Sequence, residues 1–211
     1  NGWGHCFSCA ANIPEDVESN TREVAPMQAG LIPKGEHTYL KKRKIDASTC
    51  QLWDYTISEY KGSTVQVANY KDKTGATIAQ KIRLPDKSFK FLGDTKNIPL
   101  YGQWLWSSGG KMVTIVEGEL DALSASQAQG NKWPCVSVPT GAAGSVRAVT
   151  QNIQWLLSFD RVNIMFDNDE AGKEAALKVA ALFPPRKAHI ATLPHKDASD
   201  MVMKGLGADL I

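Results

Sequence analysis

Acidic residues directly follow two short apolar runs in the second half of the 211-residue sequence. In "TIVEGELDAL", Glu117 follows the first run, and Glu119 and Asp121 come two and four residues later. In "VNIMFDNDEAG", Asp167 and Asp169 follow the second run in the same way. Like charges held close together cost free energy unless a cation lies among them. The spacing therefore indicates a divalent-cation site, because Mg²⁺ and Mn²⁺ prefer carboxylate oxygens as ligands.

Alternating strand and helix patterns surround these acids. Strands are predicted at "MVTIV", "CVSV", "RVNIMF" and "KAHIAT", helices at "ELDALSASQAQ", 145–158, "EAGKEAALKVAALF" and "DASDMVMKG", and a glycine-bearing loop at "PTGAAG". Such alternation predicts a parallel sheet flanked by helices. Functional groups of open parallel sheets collect at the carboxyl ends of the strands. We therefore expect the acids to share one edge with Lys196 and Asp197, which follow the fourth strand.

Acids near helix starts also have a purely structural explanation, since they cap the helix and complement its dipole. One such motif alone would favour that explanation. Acids after three strands in register favour a metal site, where two ions would stabilise the attacking and leaving oxygens of a phosphoryl transfer. Glu119 is expected to point away from Glu117 and Asp121 if the first helical turn is regular.

A basic region precedes the alternating part of the chain. Residues 34–90 contain 12 of the chain's 24 Lys/Arg residues and 6 of its 22 Asp/Glu residues. The rest of the chain therefore has 12 basic and 16 acidic residues. A polyanion held between a basic half and a carboxylate-bearing half would explain this distribution. On charge alone, a solvated charged face is the simpler explanation.

A β-hairpin is predicted within the basic region, because "STVQVANY" and "ATIAQKIRL" alternate on either side of the turn "KDKTG". Lys81 and Arg83 are two residues apart in the second strand and share one face, while Ile82 anchors the other. The loop "PDKSFK" continues the positive charge. We expect one cationic surface, facing the acidic edge across a cleft, that consists of Lys81, Arg83, Lys87 and Lys90.

The cysteines supply half of a metal site. Cys6 and Cys9 form a C-x-x-C pair, and His5 adds at most a third ligand, whereas a structural zinc takes four. Either the other ligands lie upstream, which we favour, or the pair is a surface remnant, and we expect no stoichiometric zinc on this chain alone. Cys50 and Cys135 lie in apolar surroundings and are predicted to be core residues.

The composition is that of an ordinary globular protein, with 43% hydrophobic and 22% charged residues and a net charge of +2. No apolar run approaches the roughly 20 residues that cross a bilayer, and no signal-peptide layout opens the chain. We expect a cytoplasmic protein without membrane contact. The chain contains no G-x-x-x-x-G-K-[ST] phosphate loop.

The acidic motifs resemble those of a Toprim domain. "VTIVEGELDAL", "VNIMFDNDEAG" and "LPHKDASD" follow one another at the separations of that domain. Upstream, "YLKKRKIDASTCQ", "ANYKDKTGATIAQKIRLPDKSFKF" and "LYGQWLWSSGGKMVTIVEGELDAL" are similar to the primase half of T7-type bacteriophage primase–helicases. "HCFSCAANIPE" resembles the end of that family's zinc ribbon. The resemblance covers nearly the whole chain.

The resemblance implies an α/β fold, in which a smaller α+β basic subdomain precedes a Toprim-like parallel sheet flanked by helices. The implied parts are a zinc-ribbon remnant, a flexible linker, the basic N-terminal subdomain of the polymerase unit and the Toprim domain, at residues 1–13, 14–36, 37–106 and 107–211. Trp104 and Trp106 are expected to pack between the last two parts rather than to stack on bases.

The resemblance also implies a DNA primase that makes short RNA primers on single-stranded DNA from ribonucleoside triphosphates. Its cofactor would be Mg²⁺ or Mn²⁺, with zinc only in the full-length protein. Its partners would be the template, the nucleotides, the RNA primer and a hexameric replicative helicase, in the cytoplasm of the host cell if a phage encodes it. The alternatives are another Toprim enzyme, such as a nuclease or topoisomerase, and a non-catalytic nucleic-acid-binding module.

The implied roles fall on residues that match the family's motifs. Catalysis falls on Glu117, Asp167 and Asp169. Metal binding falls on Glu117, Asp121, Asp167 and Asp169. Contacts to nucleotide or nucleic acid fall on Lys81, Arg83, Lys87, Lys90 and Asp197. The zinc half-site is Cys6 and Cys9, and Glu119 matches an acidic position without an implied role.

Overall fold

The computed structural model describes residues 30–33 and 35–210, and the backbone of two short strands, β1 (Trp3–His5) and β2 (Asn12–Pro14). These two strands pair antiparallel. Cys6 and Cys9, the predicted zinc half-site, lie outside the described residues. Within the described part of the chain, no helix has the length and apolar character to cross a membrane.

An antiparallel sheet forms the first half of the described fold. Helix α1 (Ala47–Leu52) precedes it, and its strands pair in sequence order: β3 (Tyr55–Tyr60), β4 (Ser63–Lys71), β5 (Thr77–Arg83) and β6 (Phe89–Gly93). The predicted hairpin is confirmed as β4 and β5. Its turn is held by Oδ1 of Asp72, which accepts hydrogen bonds from the backbone N–H groups of Thr74 and Ala76.

The register of β5 and β6 corrects the expected cationic surface. Lys90 pairs with Ile82, and Phe91 pairs with Lys81. Directly paired residues of antiparallel strands project to the same face, so Lys90 lies on the face of Ile82. Its ammonium group lies 5.6 Å from the centroid of the Tyr60 ring. The expectation of one surface with four cations is therefore wrong for Lys90.

A parallel sheet forms the second half. It contains β7 (Gly110–Val116), β8 (Cys135–Ser137), β9 (Phe159–Met165) and β10 (Ala188–Ile190), in the order β10-β9-β7-β8. The flanking helices are α2 (Glu119–Ala128), α3 (Gly141–Gln151), α4 (Ile153–Leu157), α5 (Glu170–Ala180) and α6 (Ala198–Met203). Short 3₁₀ helices lie at Gln103–Leu105 and Gly207–Leu210. The predicted fold class is confirmed, since all the pairings are parallel and helices connect the strands.

Helix α3 begins earlier than predicted. It starts at Gly141 rather than at residue 145, so part of the predicted glycine loop is its first turn. Gly141 has a φ of +63°, a backbone conformation that residues with a Cβ rarely adopt. Because of this sharp entry, the start of α3 lies at the carboxyl edge of the parallel sheet, close to Glu117.

One hydrophobic core joins the two sheets. It combines Trp53 and Tyr70 of the first half with Leu123 and Met201 of the second. Tyr101 lies between them, and its hydroxyl donates to the backbone carbonyl of Trp53 at 2.6 Å. The two halves are therefore one packed unit.

The predicted packing of the "QWLW" tryptophans is confirmed. The Trp104 ring meets that of Tyr101 edge-on at 5.2 Å. Nε1 of Trp106 donates to the backbone carbonyl of Cys135 at 2.9 Å. Cys50 and Cys135 are fully buried, as predicted for core residues.

The end of the predicted linker is packed on the first sheet. The backbone of Ile32 exchanges hydrogen bonds with the side-chain amide of Gln80, at 2.7 and 2.9 Å. Glu36 pairs with Ile57 of β3 through an isolated bridge. This part of the 14–36 segment therefore belongs to the folded unit.

Candidate functional site

The acids of the sequence motifs meet at the carboxyl edge of the parallel sheet. Glu117 directly follows β7, and Asp167 lies two residues after the end of β9. Asp121 lies in the first turn of α2, and Asp197 precedes α6 beyond the end of β10. The four side chains line one cleft, so the edge predicted from the strand pattern is confirmed.

Backbone amides fix the carboxylate of Glu117. Oε1 accepts from the N–H of Asp167 and Oε2 from the N–H of Ala142, both at 3.1 Å. A Cβ atom at Gly172 would lie 2.7 Å from Oε1, so only glycine fits beside this carboxylate. Burial raises the pKa of Glu117, and the two N–H donors oppose that rise.

The pKa values of Asp121 and Asp167 are raised because their carboxylates are buried close to other carboxylates. Oδ1 of Asp121 accepts from the N–H of Ser199 at 3.1 Å. Burial, followed by the charges of Asp197 and Asp167, raises the pKa of Asp121 well above its usual value. Burial, followed by the charge of Glu117, raises the pKa of Asp167 to about 6. A cation among these carboxylates would relieve the repulsion.

Helix capping accounts for two of the acids. Oδ1 of Asp169 accepts from the N–H of Gly172 at 2.9 Å and caps α5. Oδ1 of Asp197 accepts from the N–H of Asp200 at 2.6 Å and caps α6. Asp169 is exposed, and it is not among the residues that line the cleft. Asp121 does not cap its own helix, because its carboxylate accepts from an N–H group in the first turn of α6.

No group of three or more His, Cys, Asp or Glu side chains within residues 30–33 and 35–210 forms a ready metal-binding cluster. The donor set nevertheless suits a hard divalent ion, because it consists of carboxylate oxygens in a crowded, partly buried edge. A bound ion would then draw together groups that now repel one another.

Two cations reach the acidic edge. The ammonium group of Lys196 lies 3.7 Å from Oδ2 of Asp167 and 3.9 Å from Oδ2 of Asp197. Nη1 of Arg43 donates to Oγ of Ser199 at 3.1 Å. The sequence predicts that Lys196 lies at this edge but does not indicate its role. It predicts neither the position nor a role of Arg43. The run "KKRK" is the available signal for Arg43, but it does not indicate which of its four cations turns inward.

Lys81 is held by an acid from the other half of the fold. Its Nζ lies 2.9 Å from Oε1 and 3.0 Å from Oε2 of Glu119, and the hydroxyl of Tyr70 donates to Oε1 at 2.5 Å. The side chains of Lys81 and Glu119 are only 10% and 7% exposed. Glu119 thus turns toward β5, and Lys81, a member of the expected cationic surface, is paired with this buried acid instead of being free.

A cleft of about 560 Å³ separates the acidic edge from the antiparallel sheet. Phe89, which is 55% exposed, lies on the wall opposite the acids. The guanidinium of Arg83 and the ammonium of Lys81 lie 5.7 and 4.7 Å from the centroid of its ring. Lys87 and Lys90 are exposed outside the cleft lining. The cleft therefore offers an aromatic and basic wall that faces carboxylates, a combination suited to a base, its phosphates and a metal ion.

Two family models match the chain. Residues 35–93 match the bacteriophage T7 DNA helicase/primase N-terminal α+β fold, and residues 114–202 match the Toprim-like family. The DNA helicase/primase of Enterobacteria phage T3 is 33% identical over 217 residues. That match covers 97% of this chain and 38% of the relative, so the chain spans well under half of the relative's length.

Solved structures of phage primase domains are also similar to this chain. The crystal structure of the primase fragment of the bacteriophage T7 primase-helicase protein has 32% identity and a TM-score of 0.77, over 97% of this chain and 87% of that one. A second match has 37% identity and a TM-score of 0.77, over 82% and 88% of the chains. It is a bacteriophage T7 lagging-strand DNA polymerase interacting with primase domains of two gp4 subunits bound to an RNA/DNA hybrid and dTTP. The DnaG catalytic core, at 16% identity and a TM-score of 0.61 over 79% and 67% of the chains, shares the fold. The chain therefore belongs to the T7-type phage primase domains, in which an α+β subdomain precedes a Toprim-like domain.

Proposed function

We propose that this chain synthesises short RNA primers on single-stranded DNA from ribonucleoside triphosphates. The observation that carries the proposal is the convergence of Glu117, Asp121 and Asp167 on one cleft whose opposite wall is aromatic and basic. Nucleotidyl transfer needs cations that neutralise the charge of the triphosphate, and carboxylates that hold metal ions beside it. Membership of the T7-type primase domains supports the same activity.

Mg²⁺ or Mn²⁺ is the proposed cofactor, and its proposed ligands are Glu117, Asp121, Asp167 and Asp169. Asp169 uses Oδ1 for the cap of α5, which leaves Oδ2 for a metal ion. When bound, the metal supplies charge stabilisation to the attacking and leaving oxygens of the transfer. The proposed zinc of the full-length protein would involve Cys6 and Cys9 with ligands from elsewhere.

In the proposed reaction, the 3′-hydroxyl of the primer attacks the α-phosphorus of the incoming nucleotide. A new P–O bond forms, the bond to the β-phosphate bridging oxygen breaks, and pyrophosphate leaves. Glu117 is the proposed acceptor of the hydroxyl proton. Its carboxylate is aimed by two backbone N–H groups, and its raised pKa improves its capacity as a base.

The wall of the antiparallel sheet is proposed to bind the nucleotide and the template. Phe89 and Phe91 give flat apolar surfaces to the cleft, on which bases stack without sequence preference. Arg83 and Arg43 supply positive charge beside them. Lys81, Lys87 and Asp197 remain proposed contacts, and Lys90 faces the other side of the sheet. A hexameric helicase remains the proposed partner of the whole protein.

A topoisomerase-type reaction is less consistent with the tyrosines. That chemistry needs a phenol free to attack a phosphate. Tyr55 is the tyrosine among the residues that line the cleft, and its hydroxyl donates to Gln66 at 2.8 Å. Burial raises the pKa of Tyr55, Tyr70 and Tyr101 above the usual value of a phenol, which disfavours the nucleophilic phenolate.

A ribonucleotide incorporation assay on single-stranded DNA with Mg²⁺ or Mn²⁺ tests the proposal. We expect short RNA products from the wild type and none from Asp167→Asn, which keeps the shape of the side chain. DNA cleavage without RNA products would indicate a different Toprim enzyme. Binding of single-stranded DNA with neither product would indicate a non-catalytic module.

A further inference from the structure

The ammonium group of Lys196 lies between two carboxylates of the cleft without a close bond to either. Its distances to Asp167 and Asp197, 3.7 and 3.9 Å, exceed those of a hydrogen bond. The Lys196 side chain is 64% exposed, whereas those of Asp167 and Asp197 are 19% and 14% exposed. A loosely held cation thus faces two fixed, largely buried anions.

The backbone of Lys196 is held firmly even though its side chain is not. The N–H of Asn168 donates to the carbonyl of Lys196 at 2.6 Å, and Nδ2 of Asn168 donates to the carbonyl of Leu193 at 2.9 Å. The next residue, Asp197, caps α6. The loop after β10 is therefore fixed to the loop after β9. The backbone of Lys196 is thereby held at the acidic edge.

Of the three other cations that line the cleft, Lys81 and Arg43 have polar partners, and Arg83 lies over the ring of Phe89 on the opposite wall. Lys81 is bound by both oxygens of Glu119. Arg43 donates to Oγ of Ser199. Lys196 is the cation whose ammonium group meets the oxygen of Asp167. Its charge lowers the pKa of both Asp167 and Glu117, against the larger effect of burial.

We propose that Lys196 is the resident counter-ion of these carboxylates, displaced when a divalent metal binds and then available to the phosphates of the incoming nucleotide. The inference rests on the proposed function and adds a nucleotide-binding residue to its site. An ammonium ion and a divalent cation compete for the same negative charge. The displaced ammonium stays on its flexible stem beside the cleft, where the triphosphate adds new negative charge.

The first test measures Mn²⁺ binding without nucleotide, by electron paramagnetic resonance of the free ion at low ionic strength. We expect Lys196→Met to bind Mn²⁺ about fivefold to tenfold more tightly than the wild type, because a competing charge is gone. Lys204→Met is the matched control. It removes the same charge from the end of α6, where the ammonium group pairs with Asp200 at 2.9 Å, and should change the affinity less than about twofold.

The second test measures ribonucleoside triphosphate binding in the presence of saturating Mn²⁺. Here the direction reverses, and we expect Lys196→Met to weaken nucleotide binding about tenfold because a phosphate contact is lost. In primer synthesis, KM for the nucleotide should rise more than kcat falls. Lys196→Arg should restore most of the affinity. A merely structural lysine would not produce opposite effects on metal and nucleotide.

The outcomes separate this inference from the proposed function. If the wild type binds no Mn²⁺, the proposed metal site is wrong, and both ideas fail. If the wild type binds Mn²⁺ and Lys196→Met binds it equally or more weakly, Lys196 is not the counter-ion, although the proposed function stands. If Lys196→Met binds Mn²⁺ more tightly but binds nucleotide as the wild type does, Lys196 does not contact the phosphates, and that part of the proposal is wrong.

Discussion

Lys81 of β5 and Glu119 of α2 form a buried ion pair that connects the antiparallel sheet to the parallel one, with Nζ 2.9 and 3.0 Å from the two carboxylate oxygens. The Tyr70 hydroxyl completes the group by donating to Glu119. Lys81 contacts the rings of Phe89 and Phe91, at 4.7 and 5.9 Å from their centroids. The pair therefore fixes both the junction of the two halves and the aromatic wall of the cleft.

Removing one partner of this pair should destabilise the fold. Glu119→Ala leaves the ammonium group of Lys81 buried without a counter-charge, which costs about 3 kcal/mol in the free energy of unfolding. The double variant Lys81→Met/Glu119→Leu should lose clearly less than the sum of the losses of Lys81→Met alone and Glu119→Leu alone. Denaturant unfolding measures all four variants. Lys87→Ala, an exposed lysine of the same region, should change stability by less than about 0.5 kcal/mol, and additive single losses would contradict the coupling.

The stability of the metal-free protein should fall as the pH rises through the pKa of Asp167. That pKa is about 6 in the folded protein, above the ordinary value of 3.8, so the folded state binds the extra proton between these values. Ionisation in the crowded edge then lowers the free energy of unfolding. Asp167→Asn stays neutral and should be more stable than the wild type by about 2 kcal/mol at pH 7, with no gain below pH 4.

Denaturant unfolding from pH 4 to pH 8 checks this difference. Asp160→Asn, which alters an exposed carboxylate at the start of β9, is the control and should show no such dependence. A stability difference between Asp167→Asn and the wild type that stays constant across the range would show that crowding of the carboxylates is not its cause.

Gly172→Ala should reduce primer synthesis more than it reduces stability. Its Cβ would clash with the backbone carbonyl oxygen of Asp167 and would lie 2.7 Å from Oε1 of Glu117. The backbone after β9 and the carboxylate must therefore both shift, and the carboxylate leaves the N–H groups that orient it. The steric cost should be about 1–3 kcal/mol in the free energy of unfolding. Gly207→Ala is the control, because its Cβ would have ordinary contacts of 3.4 and 3.5 Å. Normal synthesis by folded Gly172→Ala would show that the position of Glu117 is not critical.

The two faces of the antiparallel sheet should differ in nucleic-acid binding. Arg83→Ala should lower the slope of log affinity against log salt for single-stranded DNA by about one, if Arg83 contacts a phosphate. Phe89→Ala should weaken binding by about 1–3 kcal/mol with little change in the salt slope, because stacking is lost. Lys90→Ala removes a charge from the opposite face and should change neither. An equal effect of Lys90→Ala would place the nucleic acid outside the cleft.

The positions of the acids at one sheet edge could be predicted because they depend on local patterns. Short apolar runs specify the strands β7 and β9, and each acid follows its run in sequence. Parallel pairing then brings the strand ends together without further information. The fold class follows for the same reason, since the alternation of strands and helices restricts the topology to few choices.

The partners of the cations could not be predicted from such patterns. Lys81 and Glu119 are 38 residues apart, and Arg43 and Ser199 are 156 residues apart, so both contacts depend on how the two sheets pack. The error at Lys90 has a more local cause. The segment predicted as a loop continues into β6 at Phe89, and in a strand each successive side chain projects to the opposite face.

The core shared by the two sheets has a consequence for the mechanics of the cleft. Trp53, Tyr70 and Tyr101 pack across the boundary between the matched family segments, together with Leu123 and Met201. A hinge between the segments would have to pull these side chains apart and expose them to water. The two walls of the cleft are therefore expected to stay fixed relative to each other. Substrate would then be accommodated by movements of side chains and short loops rather than by domain closure. Thermal unfolding of residues 30–210 should accordingly be a single cooperative transition.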